Sequence, residues 1–130
     1  MAHYLDTSAL VKLVVAEPET AALRVWLNEA DRTPVSSDLA RTELLRAARR
    51  VAPGHVLRAR AVLDSITLTA VTTALFEAAG RLDPTSVRSL DAIHLAAALD
   101  LGDDLDGLVT YDDRLAEAAR LNGIVVASPA

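Results

Sequence analysis

Four acidic residues are spaced along the chain so that their carboxylates can act together: Asp6, Glu43, Asp91 and Asp112. Asp6 and Asp112 each follow a short apolar run that predicts a strand, whereas Glu43 and Asp91 lie in segments that predict partly buried helices. Four converging carboxylates repel one another and therefore require a cation. Because the ligand atoms are all oxygens, the preferred cations are Mg²⁺ and Mn²⁺. A metal held in this way activates water and holds phosphate oxygens, which is the chemistry of metal-dependent nucleases.

Each of these carboxylates also has a purely structural explanation. Asp6 precedes a predicted helix, as do Asp112 and its neighbour Asp113, and aspartate is a favoured residue at helix N-termini. Asp91 lies in the first turn of a helix, where the helix dipole favours negative charge. A glutamate in a helix, such as Glu43, is by default solvated and paired with a basic residue one turn later. The joint pattern, not any single residue, indicates a site.

The segments that must position these side chains alternate between short strands and helices. Strands are predicted over residues 3–5, 33–36, 66–69, 108–110 and 124–127. Helices are predicted over residues 8–15, 18–30, 39–51, 55–64, 73–82, 90–101 and 114–121. This alternation is typical of a parallel sheet covered on both faces, in which ligands bind beyond the carboxyl ends of the strands. We therefore predict a three-layer α/β fold with a central parallel sheet, formed by residues 1–130 as a single domain.

The composition narrows the classes of protein to which the chain can belong. With 130 residues, 52% of them hydrophobic, the chain can form a packed core. It has no cysteine, which excludes a disulfide scaffold, a thiolate zinc site and a cysteine nucleophile. No apolar run approaches the roughly 20 residues of a membrane span, and the N-terminus lacks the basic start of a signal peptide. We therefore expect a cytoplasmic protein with no membrane contact.

The net charge is −5, but it is distributed unevenly. Residues 41–60 contain six arginines and one acid, a net charge of +5, whereas residues 83–117 contain nine acids and two arginines, a net charge of −7. An acidic metal site beside an arginine-rich flank fits a nucleic-acid substrate, because arginine binds phosphate oxygens. The candidate RNA-binding residues are Arg46, Arg49 and Arg50. These arginines would equally form the solvated face of an amphipathic helix, and the sequence alone leaves both interpretations open.

Three other α/β folds use residues near the first strand, and the sequence argues against each. A phosphoacceptor receiver domain needs a lysine near its last strand, but the only lysine is Lys12, in the first predicted helix. A haloacid-dehalogenase-type phosphatase needs a second aspartate two residues after Asp6, where Ser8 stands. A dinucleotide-binding fold needs a glycine-rich turn after the first strand, and the turn here contains no glycine.

Four segments, taken in order, resemble the PIN-domain ribonucleases, and most closely the VapC toxins of bacterial toxin–antitoxin modules. The segments are LDTSAL at 5–10, TEL at 42–44, LDAIHLAAA at 90–98 and TYDDRL at 110–115. Each alone is a weak motif, but the four in this order and spacing are specific, and the resemblance covers essentially the whole chain. It implies a PIN-like α/β/α fold and an endoribonuclease that hydrolyses RNA phosphodiester bonds.

The resemblance also implies which residues carry the activity. The catalytic acids would be Asp6, Glu43, Asp91 and Asp112, which would hold one or two Mg²⁺ (or Mn²⁺) ions, with Asp6 as the central ligand. Replacing any one of them by alanine is expected to abolish cleavage. Because the replacement relieves repulsion, the metal-free fold is expected to be as stable as before or more so.

Neighbouring residues would support these acids. By resemblance, the hydroxyls of Ser8 and Thr110 orient the ligands or a bound water. Asp112 is preferred as the ligand over the adjacent Asp113 because it stands two residues after Thr110, as in the family pattern, and Asp113 is kept as a supporting residue. His94 is expected to support the site from behind the acids or to pack in the core, and not to act as a general base.

The resemblance implies three partners: an RNA substrate, a cognate VapB-type antitoxin that inhibits the enzyme, and a second copy of the chain in a homodimer. The alternative is a non-catalytic α/β module, a degenerate PIN fold that only binds RNA or protein. The presence of all four acids argues against this alternative. A stability response to Mg²⁺ or Mn²⁺ would distinguish the two, because a ligand that binds only the folded state stabilises it.

Overall fold

The computed structural model describes residues 1–130 and contains five strands and seven α-helices. The strands are β1 (Ala2–Leu5), β2 (Thr33–Ser37), β3 (Thr67–Thr69), β4 (Leu105–Val109) and β5 (Val126–Ala127). The helices are α1 (Thr7–Val14), α2 (Thr20–Asn28), α3 (Leu39–Val51), α4 (His55–Ser65), α5 (Thr73–Gly80), α6 (Ser89–Asp100) and α7 (Asp113–Leu121), and a 3₁₀ turn at Gly102–Asp104 precedes β4. None of the helices has both the length and the apolar character needed to cross a bilayer.

The five strands form one parallel sheet in the order β3-β2-β1-β4-β5. The central strand β1 pairs on one side with β2 and on the other with β4, so that Tyr4 lies opposite Val35 and Leu108. Because all strands run in the same direction, the turns that follow β1, β2 and β4 lie at one edge of the sheet. This edge receives the polar residues that end the strands.

Side chains of the central strands alternate between two separate hydrophobic cores. Tyr4 and Leu108 are fully buried against α5, α6 and α7 on one face. Leu5 and Val109 are fully buried against α1, α3 and α4 on the other. The predicted three-layer α/β/α arrangement is therefore confirmed, and the near-continuous apolar pattern of the strands follows from burial on both faces.

The strand β4 begins three residues before the predicted start. Asp106 and Gly107 are poor strand formers, but β4 pairs with β1 from Leu105 onward. A side chain at Gly107 would come within 2.9 Å of the Val125 carbonyl oxygen, so a glycine is needed for this close approach. The strand β5 is shorter than predicted, because only Val126–Ala127 pair with β4.

The helix α2 begins at Thr20, not at Pro18 as the sequence suggested. The Thr20 hydroxyl donates to the Lys12 carbonyl oxygen (2.7 Å) and accepts from the Glu17 amide (2.9 Å). These two bonds tie the segment before α2 to the end of α1 and hold Pro18 in a turn. Like α2, the other helices begin and end within two residues of their predicted limits.

Candidate active site

Asp6 leaves the end of β1 and is 3% exposed. Its Oδ1 accepts hydrogen bonds from Ser8 Oγ (2.7 Å) and from the Ala9 amide (3.1 Å), the second of which caps α1. Its Oδ2 accepts from Thr110 Oγ1 (2.7 Å). Burial raises the pKa of Asp6 above its ordinary value, and these three hydrogen bonds and the nearby His94 offset that rise only in part. The helix-cap and the functional interpretation of Asp6 are therefore compatible.

Ser8 and Thr110 connect the turn after β1 with the turn after β4. The Ser8 hydroxyl, besides donating to Asp6, accepts from the Tyr111 amide at 2.9 Å. The Thr110 hydroxyl, besides donating to Asp6, accepts from the Asp112 amide at 3.1 Å. The two hydroxyl oxygens are 3.3 Å apart. Together they fix the backbone before Asp112 relative to the Asp6 carboxylate.

Asp112 is partly buried and caps α7. Its Oδ1 accepts from the amides of Arg114 (2.9 Å) and Leu115 (3.1 Å), while Oδ2 has no hydrogen-bond partner in the protein. The adjacent Asp113 is exposed and makes no side-chain hydrogen bond or ion pair. Of the two aspartates, only Asp112 is held by contacts at the sheet edge.

Glu43 lies in the second turn of α3 and is half-buried. Its Oε1 accepts hydrogen bonds from Thr7 Oγ1 (2.7 Å) and from His94 Nε2 (2.6 Å). Burial alone would raise the pKa of Glu43, but the hydrogen bonds from His94 and Thr7 and the attraction of His94 hold it below its ordinary value. The structural alternative, an ion pair with Arg46 one turn later, is not formed.

His94 is buried in α6 and connects Glu43 to the sheet. Its Nδ1 lies 2.7 Å from the Tyr4 hydroxyl, which also forms a hydrogen bond of 2.9 Å with Ser37 Oγ. Burial raises the pKa of Tyr4 to about 12, so this hydroxyl is neutral at physiological pH. The contacts of Thr7, Tyr4 and Ser37 were not identified from sequence. For Ser37 the sequence did offer an indication, because this polar residue directly follows the predicted strand 33–36. In the structure it is the last residue of β2, which lies beside β1.

Asp91 lies in the first turn of α6, is partly buried and has no hydrogen-bond or ion-pair partner. Burial raises its pKa, and repulsion by Asp112, Asp6 and Glu43 raises it further, while His94 acts in the opposite sense. The four acids are therefore close enough for their charges to interact. No three of the histidine and acidic side chains, however, approach closely enough to form a ready-made metal-binding group.

The chemistry of these residues fits a hard divalent cation. Each potential ligand is a carboxylate or hydroxyl oxygen, and the chain has no thiol. Asp91 is the clearest indication, because a partly buried carboxylate without a partner in an anionic setting is costly unless a cation neutralises it. The free Oδ2 of Asp112 and the free Oε2 of Glu43 provide further unpaired acceptors at the same edge.

Arg46, Arg49 and Arg50 lie on the exposed surface of α3 and line a shallow depression of about 250 Å³. None of the three makes a side-chain hydrogen bond or an ion pair within the protein. Arg46 and Arg50 follow Glu43 by three and seven residues and lie on its side of the helix, whereas Arg49, six residues after Glu43, lies about 120° around the helix axis. Their cationic groups are therefore available to an external anion on the helix that also carries Glu43.

The sequence model of the PIN domain family matches residues 3–121 of the chain. Ribonuclease VapC47 of Mycobacterium tuberculosis is 44% identical over 130 residues, covering 97% of this chain and 96% of the relative. Ribonuclease VapC46 of the same species is 46% identical over 129 residues, covering 98% of each chain. The match to the relatives therefore extends over nearly the full length of both partners.

Solved structures show the same fold at low sequence identity. VapC20 of M. tuberculosis, described as a Sarcin-Ricin loop cleaving toxin, has a TM-score of 0.78 at 18% identity and covers 98% of this chain and 99% of its own. A toxin–antitoxin complex from Klebsiella pneumoniae gives 0.74 at 21% identity, covering 98% of each chain. VapBC2 from Rickettsia felis, bound to a promoter DNA fragment, gives 0.74 at 14% identity, covering 100% of each chain.

Proposed function

The chain belongs to the PIN domain family, and we propose that it is a VapC-type endoribonuclease, the toxin of a toxin–antitoxin pair, that depends on Mg²⁺ or Mn²⁺. Support for the ribonuclease assignment comes from relatives at 44–46% identity that are named as ribonucleases. The observation that carries the metal dependence is the setting of Asp91, which is partly buried, unpaired and repelled by three other carboxylates.

In this proposal Asp6, Asp91 and Asp112 hold the cation, and Glu43 binds it directly or through a water. A bound divalent cation would supply charge neutralisation for the phosphate and an activated water. Ser8 and Thr110 hold the Asp6 carboxylate in one orientation through the bonds described above. Asp113 is exposed, and we expect at most an electrostatic contribution from it.

The substrate is held by a second group of residues along α3. Arg46, Arg49 and Arg50 are proposed to contact the RNA backbone along the exposed surface of α3, with Arg46 and Arg50 on the side that carries Glu43. Arginine forms bidentate hydrogen bonds with phosphate oxygens, and these contacts position a strand without reading its sequence. The scissile phosphodiester would then lie at the sheet edge, between the α3 arginines and the carboxylates.

The test is cleavage of total bacterial RNA by the purified chain in Mg²⁺ or Mn²⁺, compared with the same reaction in EDTA. Asp6→Asn and Asp91→Asn remove one charge each with little change in shape and are expected to abolish cleavage. Asp113→Asn is the matched control and should cleave at close to the rate of the unmodified chain. The non-catalytic alternative would be supported instead if the folded protein cleaves no RNA and its melting temperature does not change on addition of Mg²⁺ or Mn²⁺.

We further propose a VapB-type antitoxin and a homodimeric state. Both follow from the family, and two of the structurally similar proteins are themselves toxin–antitoxin assemblies. Exposed Phe76 lines a mostly apolar cavity of about 330 Å³ formed by α5, α6 and the segment that joins them, a surface that a protein contact would cover. Light scattering of the chain alone tests the dimer. Loss of RNA cleavage on adding a purified VapB-type protein tests the antitoxin.

A further inference from the structure

The two oxygens of the Glu43 carboxylate are treated differently by the protein. Oε1 accepts two hydrogen bonds, one from Thr7 Oγ1 at 2.7 Å and one from His94 Nε2 at 2.6 Å. Oε2 accepts none. A carboxylate that is held through one oxygen cannot rotate freely, so its second oxygen keeps a fixed direction and remains available to an external ligand.

His94, one of the two residues that hold Glu43 Oε1, is itself held in place by its surroundings. His94 is 2% exposed, and its neighbours along α6, such as Ala92 and Leu95, are also buried. Its other ring nitrogen lies 2.7 Å from the hydroxyl of Tyr4, and that hydroxyl is bonded to Ser37 Oγ. The rings of Tyr4 and His94 also meet edge to face, with centroids 5.7 Å apart. The imidazole is therefore fixed by β1, β2 and α6 together.

His94 also relates two of the proposed ligands to each other. Asp91 and His94 are three residues apart on α6 and share a side of that helix. Asp91 is itself one of the four acids, and His94 binds another, Glu43, on α3. One turn of this buried helix and one hydrogen bond therefore connect Asp91 to Glu43. Core packing alone would not require an imidazole here, because a leucine would fill the same space without a buried polar group.

We propose that His94 is a positioning residue for the metal site, which holds Glu43 through Oε1 so that Oε2 is presented to the cation. This inference rests on the proposed function, since it requires that Glu43 bind a cation directly or through a water. Groups that hydrogen-bond metal-binding carboxylates typically change metal affinity by about 10- to 100-fold when they are removed. The role assigned to His94 is of this kind and involves no contact with RNA.

The test measures Mn²⁺ binding to the RNA-free protein by calorimetry, so it does not depend on activity. His94→Asn is too short to reach Glu43 and should weaken Mn²⁺ binding about 10-fold, whereas His94→Gln retains an N–H donor near the position of Nε2 and should stay within about threefold of the unmodified chain. In a Glu43→Gln background, His94→Asn should cause no further loss. Circular dichroism at the binding temperature establishes that each variant is folded.

A second measurement needs no His94 variant. Long-range ¹H–¹⁵N spectra of the imidazoles should show the His94 signals shifting on addition of Mg²⁺, while those of His3 and His55 stay fixed. Glu43→Gln should abolish the His94 shift.

Four outcomes would overturn parts of this account, and they are distinguishable. Three of them would refute the positioning role alone. The first is an unchanged Mn²⁺ affinity in His94→Asn, and the second is an equal loss of Mn²⁺ affinity in His94→Asn and His94→Gln. The third is a Mg²⁺-induced shift of the His94 signals that persists in Glu43→Gln. Failure of the unmodified chain to bind Mn²⁺ or Mg²⁺ would refute the metal site, and the positioning role with it.

Discussion

The Thr110 hydroxyl donates a 2.7 Å hydrogen bond to Asp6 Oδ2, across 104 residues of sequence. Thr110 Oγ1 also accepts a hydrogen bond from the Asp112 amide at 3.1 Å. One threonine side chain therefore fixes the orientation of the Asp6 carboxylate and the start of the turn that carries Asp112. Because β1 and β4 are adjacent parallel strands, this contact joins the ends of both at the candidate site.

Thr110→Val replaces this hydroxyl with a methyl group of nearly equal size. We expect cleavage to fall about 10- to 100-fold, because Asp6 loses a hydrogen-bond donor that orients it. Thr110→Ser keeps the donor and should retain most of the activity. The measurement is the initial rate of cleavage of one RNA at saturating Mg²⁺. The exposed Thr67→Val in β3 is the control, and equal rates for Thr110→Val and Thr67→Val would contradict the prediction.

Asp91→Asn should raise the melting temperature of the protein in EDTA at neutral pH. Burial and the repulsion of neighbouring acids raise the pKa of Asp91, so its ionised form destabilises the folded state. This destabilisation is absent below the ordinary pKa of 3.8 and appears as the pH rises through the higher pKa of the folded state. The gain from Asp91→Asn should therefore shrink as the pH is lowered from 8 towards 4.

Thermal unfolding of Asp91→Asn, Asp113→Asn and the unmodified chain across this pH range checks the prediction. Asp113 is exposed and unpaired, so its variant should melt with the unmodified chain. In excess Mn²⁺, Asp91→Asn should instead melt at a lower temperature than Asp113→Asn and the unmodified chain, because it has lost a proposed metal ligand. A pH-independent gain in Asp91→Asn would mean that repulsion at this carboxylate is not its origin.

The sequence was sufficient to predict the sheet edge but not the contacts behind it. Asp6 and Asp112 follow strands, and parallel strands end at one edge, so their proximity follows from fold class and spacing alone. The bonds among Tyr4, His94 and Glu43 depend on how α6 packs on the sheet. From sequence, Tyr4 is an aromatic in a strand and His94 a polar interruption in an apolar helix, and neither type specifies a partner.

The start of β4 was also predicted wrongly, because the prediction relied on the strand preferences of individual residues. The segment before Leu108 contains Asp106 and Gly107, which disfavour strands, but pairing with β1 extends β4 back to Leu105. Pairing with a central strand thus overrode local preference. The expectation for stability is revised for a different reason. The sequence offered helix capping by Asp6 and Asp112 only as an alternative to a role in a site, whereas in the structure both residues cap helices.

Asp6→Ala and Asp112→Ala should lower the free energy of unfolding of the metal-free protein, each by about 1 kcal/mol, because each removes a helix N-cap. Asp6 caps α1 and Asp112 caps α7 through their Oδ1 atoms. This revises the sequence-based expectation that all four alanine variants would be at least as stable as the unmodified chain. That expectation now applies to Asp91→Ala alone, since Glu43 also gains stability from its two hydrogen bonds.

Urea unfolding in EDTA measures these differences. Asp6→Asn keeps an oxygen acceptor for the Ala9 amide and should be more stable than Asp6→Ala. If Asp6→Ala and Asp112→Ala both unfold at higher urea concentrations than the unmodified chain, repulsion outweighs capping and the revised expectation is wrong.

Removing the three α3 arginines together should weaken RNA binding without changing its sequence preference. Each arginine that neutralises a phosphate contributes about 0.7 to the slope of log affinity against log salt for a single strand. Arg46→Ala, Arg49→Ala and Arg50→Ala combined should therefore lower that slope by about 2. The measurement is fluorescence anisotropy of a labelled RNA in the Asp6→Asn background, which prevents cleavage. A triple alanine variant at the exposed Arg24, Arg81 and Arg120, which lie outside the arginine-rich segment 41–60, removes the same net charge elsewhere. If RNA affinity and the salt-dependence slope fall as much in this control as in the α3 variant, the effect is one of net charge, and the α3 surface is not where the RNA binds.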